Sequence, residues 1–321
     1  MSSNFKNLYT SNNPPLQATL IRGSNIESIH KIHAVISDKK GRVLMCAGNP
    51  EYKSFIRSSL KPFQAIPFLS SGAASEINNA SKSIALACGS HSGSKLHARE
   101  AFRILWAYDI DINYLKCPKL IRSPLENNCS GKHAAFLATC KKLNLPLDSY
   151  LKGDHPLQKE IFRIISELLE IPLSDICAER DDCGAPTLYM KLLEMAKLYA
   201  LLSSSENAEL EQISRSIRNN PVMISDKNKF DTEIIKASHG QVISKGGAEG
   251  IQCLCKVNEG IGLALKVEDG SKRAKHAVSL HLLKQLEWIS DVRIQDIEDK
   301  VFKFSEGVRL EVKGKVKFQE S

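Results

Sequence analysis

The chain has 321 residues, 42% of them hydrophobic and only 6% aromatic, with a formal net charge of +8. This suits a soluble globular protein with a sizeable, mostly aliphatic core. The basic residues are spread out, with no block of five or six and no basic segment interleaved with aromatics, so nucleic acid is not an expected partner.

Residues 1–15 are polar, and no stretch approaches the roughly 18 apolar residues that a membrane span needs. A cytoplasmic protein without membrane association is expected. Nine cysteines, an odd number in a large chain, argue for free thiols rather than a disulfide framework.

Ile29 to Ser37 alternates as a strand, Asp38-Lys39-Lys40-Gly41 is a turn signal, and Arg42 to Ala47 reads as the return strand of a hairpin. Helical apolar spacing then covers Leu60 to Leu69, Lys95 to Tyr108, Lys132 to Leu143, Pro156 to Leu169 and Pro186 to Leu202. Asp154 is the expected cap of the fourth of these, with Pro156 in its first turn. Glu206 to Arg218 is a more polar surface helix. Strands return at Gln241 to Lys245, Ile251 to Val257 and Ile261 to Val267, and Asn258-Glu259-Gly260 turns the last two. Lys272 to Trp288 is a long amphipathic helix, and Arg309 to Phe318 alternates strictly as an added edge strand. Strands at both ends with helices between predict an α+β fold, a single domain over 1–321 whose discontinuous antiparallel sheet is shared by the two ends.

Six segments carry chemistry. Ser58-Ser-Leu-Lys61 places a serine and a lysine on one face of a helix start, where a desolvated lysine can act as base to the hydroxyl. The bland alternative is a cap with a solvated lysine, and Arg57 before it can bind a carboxylate or simply form a salt bridge. Cys88-Gly-Ser-His-Ser-Gly93 is a small-residue loop that lets backbone N–H groups approach a ligand, or a tight turn capped by Ser90. Asn127-Asn-Cys-Ser-Gly-Lys-His133 and Asp181-Asp-Cys-Gly-Ala-Pro186 each open a helix with a cysteine. Two thiolates and a nitrogen ligand can hold Zn²⁺ tetrahedrally with an open fourth place, though Cys129 and Cys183 also suit two core positions. Ser244-Lys-Gly-Gly-Ala-Glu-Gly250 ends a strand with glycines that let a substrate backbone pair closely, or is simply a Gly-rich hairpin bend, and it looks like the Lys-[Ser/Thr]-Gly strand of β-lactamases. In Leu263 to Gly270, Lys266 is either catalytic or paired with Glu268 on a strand face.

Taken together, these segments resemble the Rhizobium-type (class 3) L-asparaginases, the asparaginase II proteins. The matching stretches are Arg57-Ser-Ser-Leu-Lys-Pro62, Gly89-Ser-His-Ser-Gly93, Asn128-Cys-Ser-Gly-Lys-His133, Asp181-Asp-Cys-Gly-Ala-Pro186, Lys245-Gly-Gly-Ala-Glu-Gly250 and Lys266-Val-Glu-Asp-Gly270. The resemblance implies a β-lactamase/penicillin-binding-protein-like fold, hydrolysis of L-asparagine to L-aspartate and ammonia, and a homodimer. It implies catalytic roles for Ser58, Lys61 and Ser90. The Lys-Gly-Gly motif makes Lys245 the second lysine, with Lys266 its rival. Arg57, His91, Asp181 and Gly246 would meet the substrate. A zinc ion beside the serines would be held by Cys129, Cys183 and an unusual lysine ligand, Lys132. Asp182 stands where the family usually has glycine. The alternative readings are a β-lactamase-like serine acyl hydrolase and a non-enzymatic zinc or redox sensor built on the two cysteines.

Overall fold

The computed structural model describes residues 13–118 and 123–318. The polar start, residues 1–12, on which the expectation of a cytoplasmic protein partly rests, lies outside the described residues. The strands are β1 (Leu16–Arg22), β2 (Asn25–Asp38), β3 (Val43–Ala47), β4 (Lys53–Phe55), β5 (Cys177–Arg180), β6 (Pro186–Lys191), β7 (Val242–Gly246), β8 (Ile251–Lys256), β9 (Ile261–Val267), β10 (Val308–Lys313) and β11 (Lys317–Phe318). The helices are α1 (Lys61–Gln64), α2 (Ile66–Ser70), α3 (Ala80–Ala87), α4 (Lys95–Ala107), α5 (Ser130–Lys142), α6 (Pro156–Leu169), α7 (Leu192–Ser203), α8 (Ala208–Asn219), α9 (Pro221–Ile224), α10 (Phe230–Ala237), α11 (Lys272–Gln285) and α12 (Asp291–Val301).

The two ends share one antiparallel sheet of order β10-β1-β2-β9-β8-β7, with β3 beside β2 and β11 beside β3. Val35 of β2 faces Ala264 of β9, and Leu20 of β1 faces Leu310 of β10. The fold is α+β, with the helical middle inserted between the strands of one sheet. Strand alternation sends Ile243, Cys253, Cys255 and Ala264 toward the helical middle. It sends Leu254, Leu263 and Leu265 to the other face, against α10, α11 and α12. The sheet is therefore the middle of three layers, and apolar side chains from both faces fill two cores. The α7 helix crosses the sheet at Gly262, where any Cβ would run into the Ala196 carbonyl.

Several expectations need correction. Leu60 to Leu69 is not one helix: a 3₁₀ turn over Arg57–Leu60 leads into α1, and Pro67 opens α2 because it has no N–H to continue the first helix. The α6 cap is His155, whose Nδ1 accepts the Leu157 N–H at 3.1 Å, and not Asp154. Pro186–Lys191 is a strand, and only Leu192 onward is helix. The short apolar run Thr187 to Met190 fits both periods, and pairing decides it. It forms the centre of a second sheet, β4-β6-β5, which the sequence did not suggest. The expected strand Arg309 to Phe318 does lie on the sheet edge, but as two pieces divided at Gly314.

Among the described residues no helix is long and apolar enough to cross a membrane.

Candidate active site

The small sheet brings two distant loops together. β4 runs straight into Ile56 and Arg57, while β5 and β6 flank the loop Asp181–Ala185. The Ile56 N–H bonds the Leu188 carbonyl at 3.0 Å, and the Arg57 N–H bonds Thr187 Oγ1 at 3.0 Å. Arg57 has φ of 54°, a left-handed conformation unfavourable for a side chain with a Cβ. It is held there by these contacts and by Asp181, whose Oδ1 accepts from its Nε at 2.8 Å. The strained residue opens the turn and puts Ser58 at its second position. Residues three apart eclipse in a 3₁₀ turn, so Ser58 and Lys61 share a face. Tyr199 of α7 fixes the turn from below, its hydroxyl donating to the Ser59 carbonyl at 2.8 Å.

Lys61 is buried. Its ammonium donates to the Gly89 carbonyl at 2.5 Å, Ser90 Oγ at 3.0 Å and the Asn128 carbonyl at 3.2 Å. Lys245, at the end of β7, donates to Ser90 Oγ at 2.9 Å and the Gly246 carbonyl at 2.7 Å. Two lysines thus converge on one hydroxyl. Burial pushes Lys245 down to about 7 against the pull of Asp231, and the positive Lys61 and Lys275 add to the fall. The Ser90 loop is anchored by its backbone, with Ser90 N–H on the Ile224 carbonyl at 2.7 Å. Among the described residues the half-buried Ser58 hydroxyl has no hydrogen bond.

Of the two candidate second lysines, Lys266 is spent elsewhere. It donates to the carbonyls of Val267 at 2.5 Å and Glu249 at 2.6 Å, tying the Gly-rich hairpin to the end of β9. Nor does it pair with the Glu268 side chain, which meets His33 Nε2 at 3.0 Å.

The four expected substrate contacts are already occupied to different degrees. Arg57 forms ion pairs with both Asp181 and Asp182, and the Asp182 side chain is 91% exposed. Asp181 Oδ1 also accepts the Asp182 N–H at 2.8 Å and orders its own loop. His91 is buried within its loop. Its Nδ1 accepts from the Gly93 N–H at 3.2 Å, its Nε2 meets Ser130 Oγ at 3.2 Å, and its ring stacks on His97. The Gly246 N–H is taken by Asp231 Oδ2 at 3.0 Å, so this glycine has no free N–H for a substrate strand.

Cys129 and Cys183 share a hydrogen bond, and Lys132 donates to Cys183 Sγ at 3.3 Å. The bond from Cys129 pulls Cys183 down to about 5, while the same bond and burial push Cys129 up to about 12. Among the described residues no group of three or more His, Cys, Asp or Glu side chains could hold a metal, so a three-ligand site here needs Lys132. Two sulfurs and an amine nitrogen converging in a buried place are a donor set that suits zinc.

Sequence reasoning missed Asp231, Gln252 and Lys275, which lie behind β7. The available signal was a lysine on the core-facing stripe of the Lys272 helix and polar residues at inward strand positions.

The L-asparaginase II family matches residues 18–318. The chain belongs to that family. No curated protein matches it. Among solved structures, Mglu in its native form is 11% identical with a TM-score of 0.41 over 80% of this chain, which spans 64% of the length of Mglu. A Bacillus glutaminase is 12% identical, with a TM-score of 0.34 over 80% of this chain and 91% of its own. A beta-lactamase from Mycobacterium bovis is 8% identical, with a TM-score of 0.32 over 87% of this chain and 97% of its own.

Proposed function

We propose that the chain hydrolyses L-asparagine to L-aspartate and ammonia, with Ser58 as nucleophile and Lys61, Ser90 and Lys245 as its proton relay. The observation that carries this reading is the convergence of Lys61 and Lys245 on Ser90 beside the strained turn that presents Ser58.

The relay begins with Lys245, whose low affinity for a proton leaves a neutral fraction near pH 7. Ser90 passes its proton to Lys245 as Lys61 passes one to Ser90. Lys61, now neutral, takes the proton of Ser58 as Ser58 Oγ attacks the side-chain amide carbon. The tetrahedral species collapses with breakage of the C–N bond. Lys245, through Ser90, returns the proton that lets ammonia leave. Water attacks the acyl-enzyme by the same relay and releases aspartate. The substrate α-carboxylate displaces Asp182 from Arg57, since an exposed ion pair is worth only about 0–1 kcal/mol.

Cys129, Cys183 and Lys132 would hold zinc. A bound zinc ion supplies a Lewis acid beside the serines that can orient a polar substrate. One zinc per chain is expected by metal analysis, falling below about a tenth of that in Cys129→Ala and Cys183→Ala, as loss of one of three ligands implies. Equal zinc in all three proteins would make the cysteines ordinary core residues. A homodimer is expected, and light scattering measures it.

Ammonia release from asparagine and glutamine, beside the absorbance change of a penicillin chromophore, tests the substrate. Turnover of asparagine is expected. Cleavage of the chromophore alone would move the reading to an acyl hydrolase of the β-lactamase type, and no turnover at all would favour a sensor. Ser58→Ala should lose at least ~10²-fold in kcat while melting as the wild type does.

A further inference from the structure

Behind the β7 edge, on the face away from Ser90, lies a buried polar cluster that the relay does not use. Strand alternation turns Lys245 to the front and Ser244 and Gly246 to the back. There the Asp231 carboxylate of α10 accepts from Ser244 Oγ at 2.7 Å, Gln252 Nε2 at 2.8 Å and the Gly246 N–H at 3.0 Å. Lys275 of α11 donates to the Gly247 carbonyl at 2.9 Å. Asp231 is 8% exposed and Lys275 6%. The two helices are docked at this point, with Phe230 and His276 stacked at 4.1 Å.

A charged pair buried this deeply costs desolvation that apolar residues would not, so its retention asks for a reason. The geometry supplies one. An anion grips the N–H of Gly246 and a cation grips the C=O of Gly247, fixing the backbone on both sides of that peptide. Gly247 itself is so close to the Ile56 carbonyl that an added Cβ would stand 2.8 Å from it. Its place therefore also sets the approach of β7 to the Ser58 turn.

We propose that Asp231 and Lys275 are positioning residues that lock the Gly246–Gly247 end of β7 from behind and so hold Lys245 against Ser90. This rests on the relay proposed above. The pair has a second consequence, because its two charges act on Lys245 with opposite sign. The charged or titratable groups facing Lys245 are Lys61, Cys88, Cys129, Cys253, Asp231 and Lys275. Of these, Asp231 favours the ammonium form, whereas Lys275 and Lys61 disfavour it.

The experiment is kcat/KM for ammonia release against pH, in wild type, Asp231→Asn, Lys275→Met and Lys275→Arg, with a melting curve for each. Lys275→Met removes a positive charge, so the acid limb moves up by about one pH unit. Asp231→Asn removes a negative charge, so the limb moves down by a similar amount. Lys275→Arg keeps the charge and leaves the limb in place. Opposite shifts support the proposal, because a purely structural pair would lower activity without moving the limbs apart. If Asp231→Asn does not fold, the contrast between Lys275→Met and Lys275→Arg decides. Lys245→Met separates the two levels. An active Lys245→Met enzyme overturns the relay itself, while an inactive one with unmoved limbs in the charge variants overturns the positioning role alone.

Discussion

Two lysines sit at corresponding ends of the two strands that flank β8, Lys245 near the close of β7 and Lys266 near the close of β9. Both are buried, and glycine follows each, directly after Lys245 and four residues after Lys266. Yet Lys245 donates to a serine hydroxyl, and Lys266 donates to the carbonyls of Val267 and Glu249. A hydroxyl can give a proton back, whereas a peptide carbonyl can only accept a hydrogen bond. The kind of partner, rather than burial or neighbouring glycine, separates a lysine suited to proton transfer from one that braces the backbone.

Substitution of the two lysines should break them apart. Lys245→Met is expected to lose at least ~10²-fold in kcat with little change in melting temperature, as removal of a group that acts in proton transfer does. A turnover within about threefold of wild type would remove Lys245 from the relay. The next effect is graded rather than absolute. If neutral Lys245 is needed, lowering the pH below about 7 protonates it and removes the active form. The rate should then fall about tenfold per unit below that point and level off above it. A profile flat from pH 8 to pH 5 would show that its ionisation does not control the rate. Lys266→Met should act on stability instead. It leaves buried carbonyls without their charged donor, at a cost of about 2–4 kcal/mol in urea unfolding. The kcat of the folded fraction should stay within about threefold of wild type, and a catalytic loss equal to that of Lys245→Met would erase the distinction.

Such a distinction was legible only in part, because the Lys-Gly-Gly motif favoured Lys245 over Lys266 but could not say which partner each lysine would meet. What was legible was whatever local pattern dictates. The hairpin at Asp38–Gly41, the α6 span and the three strands β7 to β9 all follow from periodicity and turn residues. The shared sheet was legible because strands gathered at both ends and hairpins demand antiparallel pairing. The β4-β6-β5 sheet was not, since its strands are short and its central one carries an apolar run that also suits a helix. The same limit hid the site's back wall. Asp231 and Lys275 are far apart in sequence and meet only because α10 and α11 dock on one face of the sheet. The Arg57 ion pairs were available as an alternative to a carboxylate site, but only the fold shows that β5, joined to β4 through β6, delivers Asp181 to that guanidinium.

A sheet closed by both ends of the helical insertion also governs the order of events during synthesis. β1, β2 and β3 emerge early, but the β2 edge that receives β9 stays unpaired until almost the whole helical middle has been made. At roughly 5–20 residues per second that wait lasts many seconds, with an open strand edge exposed throughout. Pairing across so long an intervening segment carries a large loop-closure cost and makes for slow folding. The nascent N-terminal hairpin is therefore the part of this protein most in need of a chaperone, and the step that joins β2 to β9 is where refolding in dilute solution should compete with aggregation.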